Sequence, residues 1–161
     1  MRRRAWLLAP AVTLAFLAGC ATPSTEPRTI ADTAAATPQL STLNRLVQDA
    51  GLTDMLKGPG PYTVFAPSND AFAALPANTM ASLAGDKAKL KAVLAYHVVP
   101  GNVTSAAVKN GPAKTAQGAD VSLYKAGTFV TVEEAVVTQP DLIATNGVIH
   151  IVDRVMLPPS R

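Results

Sequence analysis

The stretch TNGVIHIVDRVMLPP, residues 145–159, decides how the end of this chain folds. Ile149 and Ile151 sit two residues apart in a run rich in β-branched side chains, which is the period of a β-strand. The pair Asn146-Gly147 precedes that run and follows the apolar segment DLIAT, a combination typical of a type I′ turn. The stretch therefore predicts a β-hairpin whose second strand packs its isoleucines against a core.

The same strand carries one of the two histidines of the chain, beside an aspartate and an arginine. His150 and Arg154 fall on the face opposite to the isoleucines, so we expect them to be solvated side chains of a strand. Nucleophilic catalysis needs a nucleophile within hydrogen-bond reach of its base, and the neighbouring sequence supplies none. A structural interpretation of this stretch is therefore favoured over a catalytic one.

Working outward from the hairpin, helical patterns dominate the preceding half and strand patterns the rest. Residues 40–50 and 90–97 repeat apolar side chains at helical spacing, and YTVFA at 62–66 is typical of a buried strand. Alternating runs follow residue 120 and are broken by Gly127 and Pro140. The order of elements predicts an α+β domain with its helices first and most of its strands later.

The first twenty residues resemble a bacterial lipoprotein signal. Three arginines precede an apolar run that ends in LAGC, residues 17–20, and this layout is typical of an export signal followed by an acylated cysteine. We expect a signal peptide at 1–19 and a palmitate-type lipid on Cys20. Residues 20–37 are rich in Ala, Thr and Pro, so we expect a flexible tether there, followed by a folded domain at 38–159.

Charge and cysteine content narrow the classes of function. Without Arg2, Arg3 and Arg4 the chain would hold 11 basic and 11 acidic residues, so no basic patch argues for nucleic acid as a partner. Cys20 is the one cysteine, and acylation would consume it, leaving no disulfide and no thiol nucleophile. The two histidines and the scattered acids show no zinc spacing, and no glycine-rich phosphate loop is present. We expect no metal and no cofactor.

Three blocks of the sequence resemble the signature blocks of the fasciclin domain family: TVFAPSNDAFAAL at 63–75, LAYHVVPG at 94–101 and DLIATNGVIHIVDRVMLPP at 141–159. They occur in the order and spacing of that family. The resemblance implies an α+β fold, a wedge-shaped β-sandwich with several short helices packed on one side. It also implies adhesion or binding to a protein or matrix, without catalytic machinery.

The resemblance assigns candidate binding residues. In some animal members an Asp-Ile pair and a Tyr-His pair are implicated in integrin binding, and the matching positions here are Asp141 with Leu142, and Tyr96 with His97. Leucine replaces isoleucine in the first pair, and the partner does not carry over with the residues. Leu142 is equally compatible with the start of a strand.

His97 and Tyr96 also fit a structural role. His97 continues an apolar helical stripe, so we expect a buried imidazole bonded to the turn at Asn69 and Asp70, and Tyr96 fits a core aromatic with a bonded hydroxyl. Ser68, Asp70 and His97 could be drawn as a hydrolase triad, but no G-x-S-x-G elbow surrounds Ser68.

The sequence thus predicts a non-enzymatic binding or adhesion module, exported and anchored by its lipid. Ala21 follows Cys20 where an aspartate is linked with retention in the inner membrane, so we expect the outer membrane, facing the periplasm or the cell exterior. The partner would be a protein or an extracellular-matrix or polysaccharide component. The alternative is a periplasmic protein that binds a small molecule or a lipid in a hydrophobic cleft between its sheet and its helices.

Overall fold

The computed structural model describes residues 28–159 of the 161-residue chain, and the predicted signal peptide and Cys20 lie outside these residues. Six α-helices occur in this part: α1 Ile30–Ala36, α2 Ser41–Asp49, α3 Thr53–Lys57, α4 Asn69–Ala73, α5 Ala77–Gly85 and α6 Lys87–Tyr96. A 3-10 turn, Pro38–Leu40, leads into α2. The seven strands are β1 Tyr62–Pro67, β2 Val98–Pro100, β3 Gly111–Lys114, β4 Asp120–Ala126, β5 Phe129–Val132, β6 Ala135–Ala144 and β7 Gly147–Val152. The predicted α+β class is confirmed.

The strands form a single seven-stranded sheet in the order β2-β1-β7-β6-β5-β4-β3. Neighbouring strands are antiparallel except β1 and β7, which run parallel. The sheet curls until its two outer strands meet: β2 contacts β3, and Ala116 N–H, just after β3, donates to the Val98 carbonyl at 2.7 Å. The sheet is therefore nearly closed and encloses side chains of its own.

Two hydrophobic cores lie on opposite faces of the central strands. The helices cover one face of β1 and β7, where Val64, Ala66, Ile149 and Ile151 pack against leucines of α2, α3 and α6. The other face lines the inside of the curled sheet, and its buried side chains include Phe65, Val121, Val132 and Val152. The helices thus pack on one side of the sheet, as the family resemblance implied.

This arrangement buries both faces of β7, which corrects one sequence-based expectation. His150 is fully buried rather than solvated, because the strand lies between the helix layer and the interior of the sheet. The strand also ends at Val152, so Arg154 lies beyond it. There the Arg154 guanidinium lies 3.8 Å from the Glu134 carboxylate, in an exposed pair that contributes little to stability.

The hairpin between β6 and β7 forms, but its turn differs from the prediction. Ala144 pairs with Gly147, so Thr145 and Asn146 form the loop. Among the described non-glycine residues only Glu133 and Asp141 have positive φ, so the turn is not type I′. β6 also runs through Pro140 instead of ending there, because a shift in its pairing with β7 absorbs the proline.

Asn146 explains why an asparagine occupies this loop. Its side-chain oxygen accepts from Ile30 N–H at 2.8 Å, and its amide group donates to the carbonyls of Leu56 and Gly58 at 2.7 and 3.0 Å. One amide thereby ties the first helix and the end of α3 to the hairpin. These long-range bonds were invisible to local sequence patterns.

The first helix corrects the predicted boundary between tether and domain. Thr29 caps α1 by accepting from Asp32 N–H, and the Asp32 carboxylate accepts in return from Thr29, which is a capping box. Ile30 is 1% exposed, and Ala31 and Ala34 are also buried. Because these side chains of α1 are buried against the rest of the domain, the folded part begins before residue 38. Small residues suffice here, since the sheet supplies most of the apolar surface.

Candidate binding surfaces

Tyr96 is the last residue of α6 and is held inside the domain. Its side chain is 3% exposed and packs in the core enclosed by the sheet. The hydroxyl donates to the Asp120 carbonyl at 3.3 Å, and burial raises the pKa of the phenol. The aromatic body therefore stabilises the core, and a partner cannot reach most of it in this conformation.

His97 follows directly and joins α6 to the last described segment of the chain. Its Nδ1 lies 2.8 Å from the Val93 carbonyl, and its Nε2 accepts from Met156 N–H at 3.0 Å. Because Met156 offers a donor and Val93 an acceptor, the ring is neutral with its proton on Nδ1. Burial lowers the pKa of His97 to about 4, outweighing the bond to Val93.

The partner that the sequence suggested for His97 is wrong. Asn69 instead accepts from Thr42 N–H at 3.0 Å and donates to the Pro38 carbonyl at 3.0 Å, so it secures the start of α2. Ser68 caps α4 by accepting from Ala71 N–H at 3.2 Å. The residues of the hypothetical triad thus lie in separate structural contacts.

Asp141 occupies a bulge in β6 with φ of +57°, a left-handed conformation that costs most residues free energy. Its carboxylate accepts from Ser105 N–H at 2.7 Å and from the Ser105 hydroxyl. Burial alone would raise the pKa of Asp141, but the bonds from Ser105 outweigh it and hold that pKa below its usual value. The carboxylate therefore fixes the 101–105 loop to the bulge.

His150 completes this connection from inside the sheet. Its Nδ1 accepts from Asp141 N–H at 3.2 Å, while Nε2 donates to the Val103 carbonyl at 2.8 Å. The ring stacks on Phe65 with centroids 5.5 Å apart. Burial lowers the pKa of His150, outweighing the opposite effects of Val103 and Asp141, so this imidazole is also neutral.

The four residues assigned by resemblance therefore do not form one exposed site. Tyr96 and His97 are buried, Asp141 is half-buried and bonded, and Leu142 packs against the helix-side core as part of β6. Their role in binding stays a prediction. The side chain that does reach solvent in this region is the next residue, Ile143, which is 78% exposed.

A patch of exposed apolar side chains lies on the outer face of the sheet, where no helix covers it. Tyr124 is 57% exposed on β4, Phe129 is 70% exposed on β5, and Val136 is partly exposed on β6. Thr131 pairs with both Tyr124 and Val136, and Phe129 lies two residues from it on the same face. We call Tyr124, Phe129 and Val136 the hairpin patch.

Sequence reasoning missed the hairpin patch, although a signal was present. In VSLY and FVTV, the residues 121–124 and 129–132, the alternating valines and leucine indicate one buried face. Tyr124 and Phe129 then fall on the opposite face. Exposed apolar side chains mark a contact surface when they are contiguous, as neighbours on one sheet face are.

The space between the helices and the sheet is nearly filled. The cavity there, lined by Leu43, Val64 and Leu94 among other apolar residues, measures about 20 Å³. Within residues 28–159 no three side chains of His, Cys, Asp or Glu gather as metal ligands would. In the same described range, no helix is both long and apolar enough to cross a bilayer.

Comparison with known proteins agrees with this architecture. The profile of the family described as Fasciclin domain matches residues 38–158. Protein sll1483 of Synechocystis sp. is 46% identical over 133 residues, covering 81% of this chain and 74% of that protein. Cell surface glycolipoprotein MPT83 of Mycobacterium tuberculosis is 36% identical over 137 residues, covering 82% of this chain and 61% of that protein.

A solved structure shows the same fold. It is a FAS1 domain pair from the insect cell adhesion molecule fasciclin I, with a TM-score of 0.64 and 17% sequence identity. The match covers 81% of this chain and 51% of the insect chain. The profile match, the relatives and the shared fold lead to one conclusion: the chain belongs to the fasciclin domain family.

Proposed function

We propose that the chain is a non-enzymatic adhesion module, held to a membrane by a lipid on Cys20, that binds a protein or an extracellular-matrix or polysaccharide partner. The observation that carries the proposal is a filled interior combined with exposed aromatic side chains on the hairpin patch. Aromatic residues contribute much of the free energy of protein interfaces. MPT83, a cell surface glycolipoprotein by name, supports presentation at a surface.

The state of the two histidines supports a function without catalysis. Each imidazole uses one nitrogen as donor and the other as acceptor, and every partner is a backbone group. General base catalysis needs a ring nitrogen that can take a proton from a reacting group. Neither His97 nor His150 has such a nitrogen in the described structure.

The alternative prediction, a protein that binds a small molecule or lipid in a cleft, finds no support between the helices and the sheet. Ligand pockets of that kind measure roughly 300–1,000 Å³. The cavity of about 20 Å³ beside Leu43 and Val64 is too small for such a ligand, and the larger spaces, of about 430 to 580 Å³, are open clefts at the surface. Adhesion through the outer surface is therefore the function that the geometry supports best.

Cells that display the full-length chain test the proposal. We expect adhesion to surfaces coated with matrix protein or polysaccharide, and a loss of most of it in the double variant Tyr124→Ser, Phe129→Ser. Leu157→Ser is the matched control, because Leu157 is an exposed apolar residue elsewhere, 49% accessible. Equal adhesion of both variants would exclude the hairpin patch, and no adhesion by the wild type would exclude the function.

The anchor needs its own test. We expect metabolic labelling with palmitate to mark the wild type and not Cys20→Ser, and fractionation to place the labelled protein in the outer membrane. Substitutions at Asp141 or Leu142 are poor probes of binding, because both residues make internal contacts. A loss of adhesion in Asp141→Ala is informative only when circular dichroism shows that the domain remains folded.

A further inference from the structure

The first described residue is fastened to the β6–β7 hairpin. Thr145 N–H donates to the Arg28 carbonyl at 2.9 Å, and the Thr145 hydroxyl donates to the same carbonyl at 3.3 Å. Two residues later, Ile30 N–H donates to the Asn146 side chain. Residue 28, the first of the described residues, is therefore held at the hairpin end of the sheet.

The connection from this point to Cys20 is short. Residues 21–27 are all that separate Cys20 from Arg28. A fully extended chain of that length spans at most about 28 Å. β7 alone, with six residues, is about 20 Å long, so reaching the opposite end of the domain would use nearly the whole span. A lipid on Cys20 would consequently keep the hairpin end nearest to the membrane.

The surface at that end exposes apolar side chains. Ile143, on β6 beside the hairpin loop, is 78% exposed and is the most exposed large apolar side chain of the described residues. Exposed Pro59 and Pro61 lie close by, since Tyr62 N–H donates to the Asn146 carbonyl. Apolar side chains of this kind can enter the boundary between headgroups and acyl chains.

Two cations border the same surface. Arg28 and Lys57 are exposed, and both lie near Asp32, whose pKa is lowered first by its bond with Thr29 and then by these charges. Lys57 ends α3, directly before Gly58, whose carbonyl accepts from Asn146. We call Arg28, Lys57, Pro59, Pro61 and Ile143 the tether end.

The opposite end of the domain carries charged side chains of both signs. β1 and β7 both begin at the tether end, run parallel to each other, and end at Pro67 and Val152. Beyond those strand ends lie the carboxylates Asp70, Glu133, Glu134 and Asp153, together with Arg154, which is paired with Glu134, and Lys114, whose strand partner is Asp120. Anionic headgroups attract basic side chains and repel acidic ones. The exposed Asp32 carboxylate lies beside Arg28 and Lys57 and offsets part of their charge, so the short connection, and not the net charge, favours this orientation.

We infer that the tether end is a contact surface for a phospholipid bilayer. Ile143 enters the interfacial layer, Arg28 and Lys57 face the phosphate groups, and the opposite end of the domain points away from the membrane. This inference rests on the lipid anchor proposed at Cys20. The lipid on Cys20 supplies the attachment, so the protein contact beside it serves to fix the orientation of the domain on the bilayer.

Depth-dependent quenching tests the orientation in the full-length lipidated protein. Vesicles of phosphatidylglycerol and phosphatidylethanolamine would carry spin-labelled lipids, and an environment-sensitive fluorophore would be attached to Ile143→Cys or, as the matched control, to Asp70→Cys. Acylation blocks the thiol of Cys20, so only the new cysteine reacts. We expect quenching at position 143 to exceed that at position 70 several-fold. Equal quenching, or protein that fails to float with the vesicles, would overturn the inference.

A second variant distinguishes the effect of the basic side chains on insertion depth from the effect of the lipid anchor. In the Ile143→Cys background, Arg28→Glu with Lys57→Glu should reduce quenching toward the value at position 70, while circular dichroism stays unchanged. Unchanged quenching would mean that the anchor alone sets the depth, which contradicts a charged contact surface. Adhesion is scored independently: lost adhesion with preserved quenching refutes the proposed function alone. Adhesion and flotation with equal quenching at positions 143 and 70 refute the membrane contact alone.

Discussion

His97 and His150 are both neutral and buried, yet they carry their proton on different nitrogens. His97 donates from Nδ1 to Val93 and accepts at Nε2, whereas His150 accepts at Nδ1 and donates from Nε2 to Val103. In each case the backbone group that faces the ring decides the tautomer. Protonation would place a second donor against the N–H of Met156 or of Asp141, so the folded state disfavours protonation of either ring.

The domain should lose stability as the pH falls from 6.5 toward 4. The pKa of His97 is about 4 in the fold and 6.5 when unfolded, so its contribution is complete above pH 6.5 and decreases below it. The expected loss between pH 7 and pH 4.5 is roughly 2 to 3 kcal/mol. Urea unfolding at the two pH values measures this difference.

His97→Gln is the control for that measurement. It removes one titrating ring and leaves His150, whose pKa is also lowered by burial. The free energy of unfolding of the variant should therefore depend less on pH than that of the wild type. Parallel pH profiles for the two proteins would show that His97 is not the group responsible.

At the scale of elements, the β6–β7 hairpin depends on a glycine at the point where β7 begins beside β1. A Cβ at Gly147 would lie 1.8 Å from the Tyr62 carbonyl oxygen and 2.9 Å from the Ile30 side chain. We expect Gly147→Ala to cost more than about 3 kcal/mol or to prevent folding, because backbone must move to admit the methyl group.

Gly85→Ala is the matched substitution for Gly147→Ala. Gly85 ends α5, and a Cβ there would meet nothing within 4 Å. We expect its melting temperature to stay constant or rise slightly, since alanine is the better helix former. Thermal unfolding followed by circular dichroism compares the two, and similar melting temperatures for both variants would contradict the close approach at Gly147.

Local patterns predicted the elements that one segment can specify by itself. The helical stripe through Leu90 and Leu94 became α6, and the run at 62–66 became β1. Patterns failed where a distant segment decides the environment. The sequence around His150 predicts a solvated side chain, because the burial of both faces of β7 depends on distant segments. The bond between Asp141 and Ser105 likewise joins residues far apart in sequence, so no local pattern predicts it.

At the scale of the whole molecule, α1 belongs to the fold although its composition resembles a linker. Ile30, Ala31 and Ala34 are buried, and Ile30 N–H donates to the side-chain oxygen of Asn146. A fragment of residues 38–161 should therefore be less stable than one of residues 28–161 by about 3 to 5 kcal/mol, from lost burial and an unpaired amide. Urea unfolding of the two fragments measures the difference, and equal midpoints would restore the boundary at residue 38.

The contact between β2 and β3 determines whether neighbouring copies on one membrane could join through their strand edges. Exposed strand edges recruit further strands and lead to polymers. Here the bond between Ala116 and Val98 leaves those edges facing each other. Dense arrays of the protein would then stay discrete units, touching through side chains instead of fusing into continuous sheets.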